Sequence, residues 1–210
     1  MAEEKEEKEA KKKEKEEKEE DKEDKDFKNF FTDMGHLFEK RIIEYLVDTY
    51  GIDSVKQICE QNEIYGLNDI ISLSKQTIKL IEEKTPIIVS APIVDFENKT
   101  YGIIDLIIRT DYFIKMFEKS DNFSSYIDCS DYIVVDIKWK KLEIIKKCFL
   151  SGSIKFKHYK SQVYIYTTAL KNTFKTNSSK FSNYSAILGK GCSFTESGNK
   201  IVKNNPFFTS

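Results

Sequence analysis

The sequence predicts a mixed α/β domain, an α+β arrangement around a mixed sheet, preceded by a charged N-terminal segment. Three observations predict it. Helical spacing of apolar residues gives way near residue 87 to three runs rich in β-branched residues, and then returns. The chain has 210 residues, 40% hydrophobic and 13% aromatic, which suits one domain with a real core. Residues 1–28 differ from the rest, with 14 acidic and 10 basic residues and Phe27 almost alone as a large side chain after Met1. Such a segment buries too little apolar surface to offset its ordering entropy. The expected division is therefore a disordered or solvated Glu/Lys-rich tail over 1–28 and a folded domain over 29–210. The tail's mixed charge pattern also suits a solvated helix or coiled coil held by i,i+4 ion pairs.

The elements follow in order. From Asn29 to Tyr50 the residues Phe30, Met34, Phe38, Ile42, Tyr45 and Leu46 recur at helical spacing, and Gly51 is a natural stop. Asp53 can cap a short helix through Cys59. Asn68 or Asp69 can cap another, with Ile70, Leu73, Ile78 and Ile81 as its apolar positions. Ile87–Val94, Tyr101–Arg109 and Tyr132–Trp139 read as strands bounded by Pro, Asn, Lys or Ser. Glu97–Lys99 joins the first two as a hairpin, and Asp111–Glu118 suits a short helix with a polar tail to Asp131. Lys157–Lys175 resumes helical spacing, and Tyr184–Leu188 suits one more strand. The core order is α-β-β-β-α-β, with extra N-terminal helices.

The formal net charge of −1 hides three unlike blocks. Residues 1–28 carry net −4, 29–136 carry −9 and 137–210 carry +12, with Glu143 and Glu196 the only acids of the last block. A basic final third suggests a phosphate-rich partner, or else a solvated lysine surface. Arg41 and Arg109 are the only arginines, so lysines act as point charges and bidentate base reading is not the main expectation. The Ile, Asn and Lys bias suggests an AT-rich coding sequence. No run approaches 18 consecutive apolar residues, so no membrane span is expected. Residues 1–28 lack the apolar stretch of a secretory signal, which makes an intracellular, reducing compartment the default expectation. Cys59, Cys129, Cys148 and Cys192 are far apart, with neither zinc-type pairs nor a disulfide framework.

Two carboxylates stand out. Asp105 interrupts Gly-Ile-Ile-Asp-Leu-Ile-Ile and Asp136 interrupts Tyr-Ile-Val-Val-Asp-Ile-Lys-Trp. An unpaired charge inside an apolar strand costs several kcal/mol, so two of them demand a reason. Asp136 and Lys138 are i and i+2 and project from one strand face. They pair with each other on a solvated face while Asp105 ends its strand at an edge, or the acids form a cluster that binds magnesium beside an ammonium group. Two carboxyl groups sharing a metal pair with ions ~4 Å apart must lie within about 8 Å of each other.

At this point the sequence resembles the PD-(D/E)XK nuclease superfamily, in particular its RecB-like and lambda-exonuclease-like branches. Gly35-His-Leu-Phe-Glu39 is similar to the first-helix motif of a Gly followed four residues on by Glu or His. Gly102-Ile-Ile-Asp105 is similar to the Gly-x-x-Asp strand, Asp136-Ile-Lys138 to the (D/E)xK strand, and Gln162-Val-Tyr-Ile-Tyr166 to the QxxxY helix. The resemblance spans Gly35 to Tyr166, keeps the order of elements read above, and implies a restriction-endonuclease-like core. It also implies that Asp105 and Asp136 hold one or two Mg2+ ions (Mn2+ as a substitute), with Glu39 and the Ile137 carbonyl as further ligands. The metal would acidify bound water and stabilise charge on the scissile phosphate. Lys138 would orient that water or neutralise the phosphate. Gln162 and Tyr166 would brace the site or touch the nucleic-acid backbone, unless Tyr166 is simply a core residue of an amphipathic helix.

Lys140, Lys141, Lys146, Lys147, Lys155, Lys157 and Lys160 follow the site, with Trp139, Phe156, His158 and Tyr159 interleaved. They suit a grip on a phosphate backbone with stacking on unpaired bases, or a soluble lysine face over core aromatics. Departures from the family pattern are Ile104 in the position of its Pro and a long stretch, Arg109–Ser130, between the two acids. Cys192 stands alone near the end, so no iron–sulfur cluster is expected. Gly189-Lys-Gly191 is not a Walker loop, so a helicase or other replication or repair partner would be a separate chain. The expectation is a magnesium-dependent nuclease hydrolysing phosphodiester bonds of DNA, single-stranded or at duplex ends. Its rivals are a nuclease-like fold that binds nucleic acid without cutting it, and an interaction protein whose carboxylates only pair with lysines.

Overall fold

The computed structural model describes residues 29–60, 66–116, 131–145, 149–196 and 199–204. The chain divides into two units, residues 1–40 and 41–210. The expected charged tail, Cys129, Cys148, Lys146 and Lys147 lie outside the described residues.

Residues 29–50 form helix α1, whose last ten residues belong to the second unit. There follow β1 (Val55–Gln57), α2 (Leu67–Glu82), β2 (Ile87–Asp95), β3 (Thr100–Arg109) and α3 (Thr110–Met116). Then come β4 (Tyr132–Ile145), β5 (Phe149–Leu150), α4 (Lys157–Thr173), β6 (Phe181–Glu196) and β7 (Asn199–Asn204). Short 3-10 turns at Ile154–Phe156 and Lys175–Lys180 flank α4. The strands form a mixed sheet in the order β1-β2-β3-β4-β6-β7, with β5 paired to β4. β1 and β2 run parallel, as do β4 and β6, and the remaining neighbours are antiparallel.

The apolar composition of β2 explains its central place. All its residues but Ser90 are buried, which is what a strand covered on both faces requires. Asp95 closes β2 and starts the hairpin, accepting hydrogen bonds from the backbone N–H groups of Glu97 and Asn98 and from the side-chain amides of Asn98 and Asn172. One core cluster packs Ile81 of α2, Ile88 and Ile93 of β2, Ile104 of β3, Tyr132 and Val134 of β4 and Leu170 of α4. Its phenol is satisfied, since Tyr132 Oη donates to the Thr85 carbonyl at 2.9 Å.

Several expectations need correction. Residues 53–59 hold a turn and strand β1, not a helix: Val55 pairs with Ile87 and Gln57 with Val89. Neither Asn68 nor Asp69 caps α2, whose N-cap is Gly66 with no side-chain cap bond. The buried face of α2 is Ile70, Ser74, Thr77 and Ile81, with Leu73 and Ile78 only half-buried. Two hydroxyls can sit there because each is satisfied: Thr77 donates to the Pro92 carbonyl at 2.6 Å and Ser74 to that of Ile71 at 2.8 Å. β4 runs on to Ile145 and β6 starts at Phe181, both well beyond the expected spans. β1, β5 and β7 were not anticipated.

Candidate functional site

The β3–β4 ladder runs from Arg109↔Tyr132 to Leu106↔Val135. The next residue on each strand is a carboxylate, Asp105 on β3 and Asp136 on β4. There the pairing changes character. The Ile137 N–H donates to Asp105 Oδ2 at 2.6 Å, so a side chain takes an amide that the ladder would otherwise use. The expected part for Ile137 was its carbonyl; the contact observed is through its N–H.

Asp136 is 1% exposed, so it is no surface acid. Its Oδ1 accepts from Lys138 Nζ at 2.7 Å, and its Oδ2 meets no hydrogen-bond donor. Asp105 and Asp136 are the residues at which the β3–β4 ladder stops, and each acts on the other's ionisation. Two neighbouring carboxylates oppose each other's ionisation, which the Lys138 ammonium on Asp136 Oδ1 only partly offsets. Burial first, and the neighbouring Asp105 charge second, push Asp136 up to about 7. Burial raises Asp105 as well, against the opposing pull of the Ile137 N–H and the Lys138 charge. Lys138 is the more open member of the group, with 21% of its side chain exposed, and its Nζ lies 5.7 Å from the centre of the Tyr159 ring.

Behind this pair the sheet is strained. Ser90 has φ +48, a left-handed conformation rare for a non-glycine residue, between the pairs Val89↔Leu106 and Ala91↔Ile104. That register sets it across from Asp105. Its carbonyl accepts a hydrogen bond from Cys59 Sγ at 3.3 Å. Nothing in the sequence around Ser90 signals this conformation.

Two further motif residues meet each other. A side chain on Gly102 would bring Cβ to 2.7 Å from Tyr166 Cε1 and 2.9 Å from its Oη, so glycine is what lets α4 lay Tyr166 against β3. Gln162 Nε2 lies 3.5 Å from Tyr166 Oη, one turn apart on α4. Tyr166 also packs partly buried on the core cluster, so its core and motif roles coincide.

Of the expected basic residues, Lys140, Lys141, Lys157 and Lys160 are exposed. Lys160 Nζ is held by the Leu150 carbonyl at 2.8 Å, and Lys155 pairs with Glu143. Lys190 was not singled out from sequence; its Nζ lies 4.1 Å from the centre of the Trp139 ring. Glu39, the third expected carboxylate, lies half-buried on α1 within the first unit.

Divalent cations such as Mg2+ take oxygen ligands, and Asp105 with Asp136 offers two carboxyl groups, one carrying an oxygen without a donor. That donor set fits such an ion. Among the described residues no group of three or more His, Cys, Asp or Glu side chains gathers to hold a metal. Cys59 and Cys192 are free thiols. No described helix is long and apolar enough to cross a membrane. Comparison with known proteins finds no matching family model, curated protein or solved structure.

Proposed function

We propose that this chain is a magnesium-dependent nuclease that hydrolyses phosphodiester bonds of DNA, built on a restriction-endonuclease-like core. The observation that carries the reading is the placing of Asp105 and the buried Asp136 side by side at the end of the β3–β4 ladder, with Lys138 on one Asp136 oxygen and no donor on the other. A structural ion pair needs one acid and one base; a second carboxylate beside the buried one raises the energy of the empty site, a cost that a bound cation would relieve. The meeting of Gly102 with Tyr166 adds support, because it joins the Gly102–Asp105 strand motif to the Gln162–Tyr166 helix motif of the resemblance.

Mg2+ held by Asp105 and Asp136 would supply Lewis-acid stabilisation of the scissile phosphate and acidify a water. The chain's own residues do the rest. The Ile137 N–H fixes the rotamer of Asp105, and burial on β4 fixes that of Asp136. Lys138, charged beside its carboxylate and partly open, reaches toward a phosphate oxygen and neutralises it as charge develops. Gln162 and Tyr166 hold α4 against β3 and so keep the Asp105 strand in place.

The test is cleavage of end-labelled and internally labelled DNA, with RNA of the same sequence in parallel, by the full chain in Mg2+, Mn2+ or EDTA. Cleavage of DNA is expected in Mg2+, lost in EDTA, and reduced at least about a hundredfold in Asp136→Asn and in Lys138→Met. No cleavage with either metal, or cleavage that survives EDTA or Asp136→Asn, overturns the reading.

A further inference from the structure

The sheet does not end at the carboxylates. β4 continues for seven residues beyond Lys138 to Ile145, paired with β6 as far as Glu143 and with β5 at its end. The register passes from Lys138↔Gly189 to Lys141↔Gly191, so β4 advances three residues while β6 advances two. This bulge holds Trp139 and Lys140 in the extra space. Gly189 is the counterpart that permits it: a Cβ there would lie 2.6 Å from the Lys140 carbonyl oxygen and 2.6 Å from Leu142 Cγ. Bulges re-aim side chains, and beside this one Lys190 of β6 lies over the Trp139 ring, with the exposed Lys140 and Lys141 next along β4.

Lys138 is paired with Asp136, but the other three charges are uncompensated. Among the described residues Lys140, Lys141 and Lys190 form no ion pair, and the acid on this part of β4, Glu143, is already paired with Lys155. Lysines held together without counter-charge repel one another, and a polyanion laid across them relieves that repulsion. None of the four is an arginine, so the cluster lacks the bidentate fork used to read base edges. Lysine point charges around an aromatic ring are instead the combination that holds a single strand without regard to sequence.

We infer that the bulged extension of β4 and β6 is a track for single-stranded DNA, in which Lys140, Lys141 and Lys190 contact successive phosphates and Trp139 lies beneath the strand. The track deepens the nuclease reading by naming the form of its substrate, and it leads the strand to Lys138. Its binding, however, is independent of cleavage.

Trp139 is the sole tryptophan of the chain, so it reports on its own site. The full chain in EDTA is titrated with a fluorescent 20-mer of thymidine, and separately with a 20-bp duplex, at several salt concentrations. Anisotropy of the label gives affinity while tryptophan emission gives location. The 20-mer should bind more tightly than the duplex and change Trp139 emission in step with the anisotropy. Lys140→Gln with Lys141→Gln should lower the slope of log affinity against log salt by about 1.4, or about tenfold weaker binding at 0.15 M salt. Lys190→Gln should lower it by about 0.7, and Lys79→Gln on α2 should leave it unchanged. An unchanged slope in the double variant, a silent Trp139 or preference for the duplex overturns the track. If the chain cuts DNA but shows one of those results, the track fails and the nuclease reading stands. If it binds as expected and cuts nothing, the reverse holds.

Discussion

Asp136 keeps its proton far above the usual carboxylate range because burial and the Asp105 charge both oppose ionisation. The consequence for stability has a definite sign. In the unfolded chain this carboxyl ionises near 3.8, in the folded chain near 7, so between those values the native state binds more protons. Its contribution is fully present below about pH 4 and is lost as pH rises toward 7. Asn has nearly the shape of the protonated acid and cannot ionise. Urea unfolding of the metal-free chain should therefore find Asp136→Asn close to wild type at pH 4 and more stable than it by roughly 2 to 4 kcal/mol at pH 8. A difference that does not change with pH would mean that the two carboxylates do not repel each other in the folded chain. Asp95 is the opposite case. Burial works against its charge, but four hydrogen bonds from Glu97, Asn98 and Asn172 prevail and hold it below the ordinary range. Its stabilisation is present above the unfolded value and fades as pH falls. Asp95→Ala should cost about 1 to 3 kcal/mol at pH 7, measured by thermal or urea unfolding, and progressively less in acid.

At the scale of elements, the contact of β3 with α4 depends on an absent side chain. Gly102→Ala should destabilise the chain by about 1 to 3 kcal/mol, because Tyr166 must move to admit the methyl group. Tyr166→Ala should also destabilise, yet the double variant should cost clearly less than the two single costs together. Simple additivity in this double-mutant cycle would mean that the two residues do not touch. The same contact shows what could be read in advance. Gly102, Asp105, Asp136, Lys138, Gln162 and Tyr166 were legible because glycine and charged residues inside apolar strands, and polar i,i+4 pairs on a helix, contradict their surroundings. The three β-branched strands and α4 were legible for the converse reason, since pattern and burial agree. β1 was not: Val55 and Ile58 suit one helical turn as well as a strand, and pairing of Val55 with Ile87 decides between them. β7, with the sequence Asn-Lys-Ile-Val-Lys-Asn, has turn signals on both sides, Ser197-Gly198 and Asn205-Pro206, but only two apolar residues, and its partner β6 defines it. Ser74 and Thr77 look like the polar face of α2, but hydrogen bonds to Ile71 and Pro92 let them be buried. The bulge after Lys138, and with it the approach of Lys190 to Trp139, follows from a register that no local pattern encodes.

Across the whole molecule, a net charge of −1 conceals an acidic stretch ending at Asp136 and a basic one beginning beside it, with Lys138 at the junction. The half-buried Asp105 and the buried Asp136 lie on β3 and β4 where their ladder stops, and the exposed lysines continue along β4 and β6. In the nuclease reading the acids attract the cation and the lysines the phosphates, so one sheet carries both charges of the reaction without mixing them. The acids' role requires that a divalent cation relieve the repulsion between Asp105 and Asp136. The most direct measurement is the unfolding midpoint of the full chain at pH 8 with and without 10 mM MgCl2, at constant ionic strength. If the site binds Mg2+ with a Kd of about 1 mM, the gain is about 1.4 kcal/mol, or roughly 3 to 6 °C in the wild type. The Asp105→Asn, Asp136→Asn double variant, more stable to begin with, should show no such gain. Equal shifts in the two proteins, or none in the wild type with either Mg2+ or Mn2+, would contradict a cation site at these carboxylates and the nuclease reading with it.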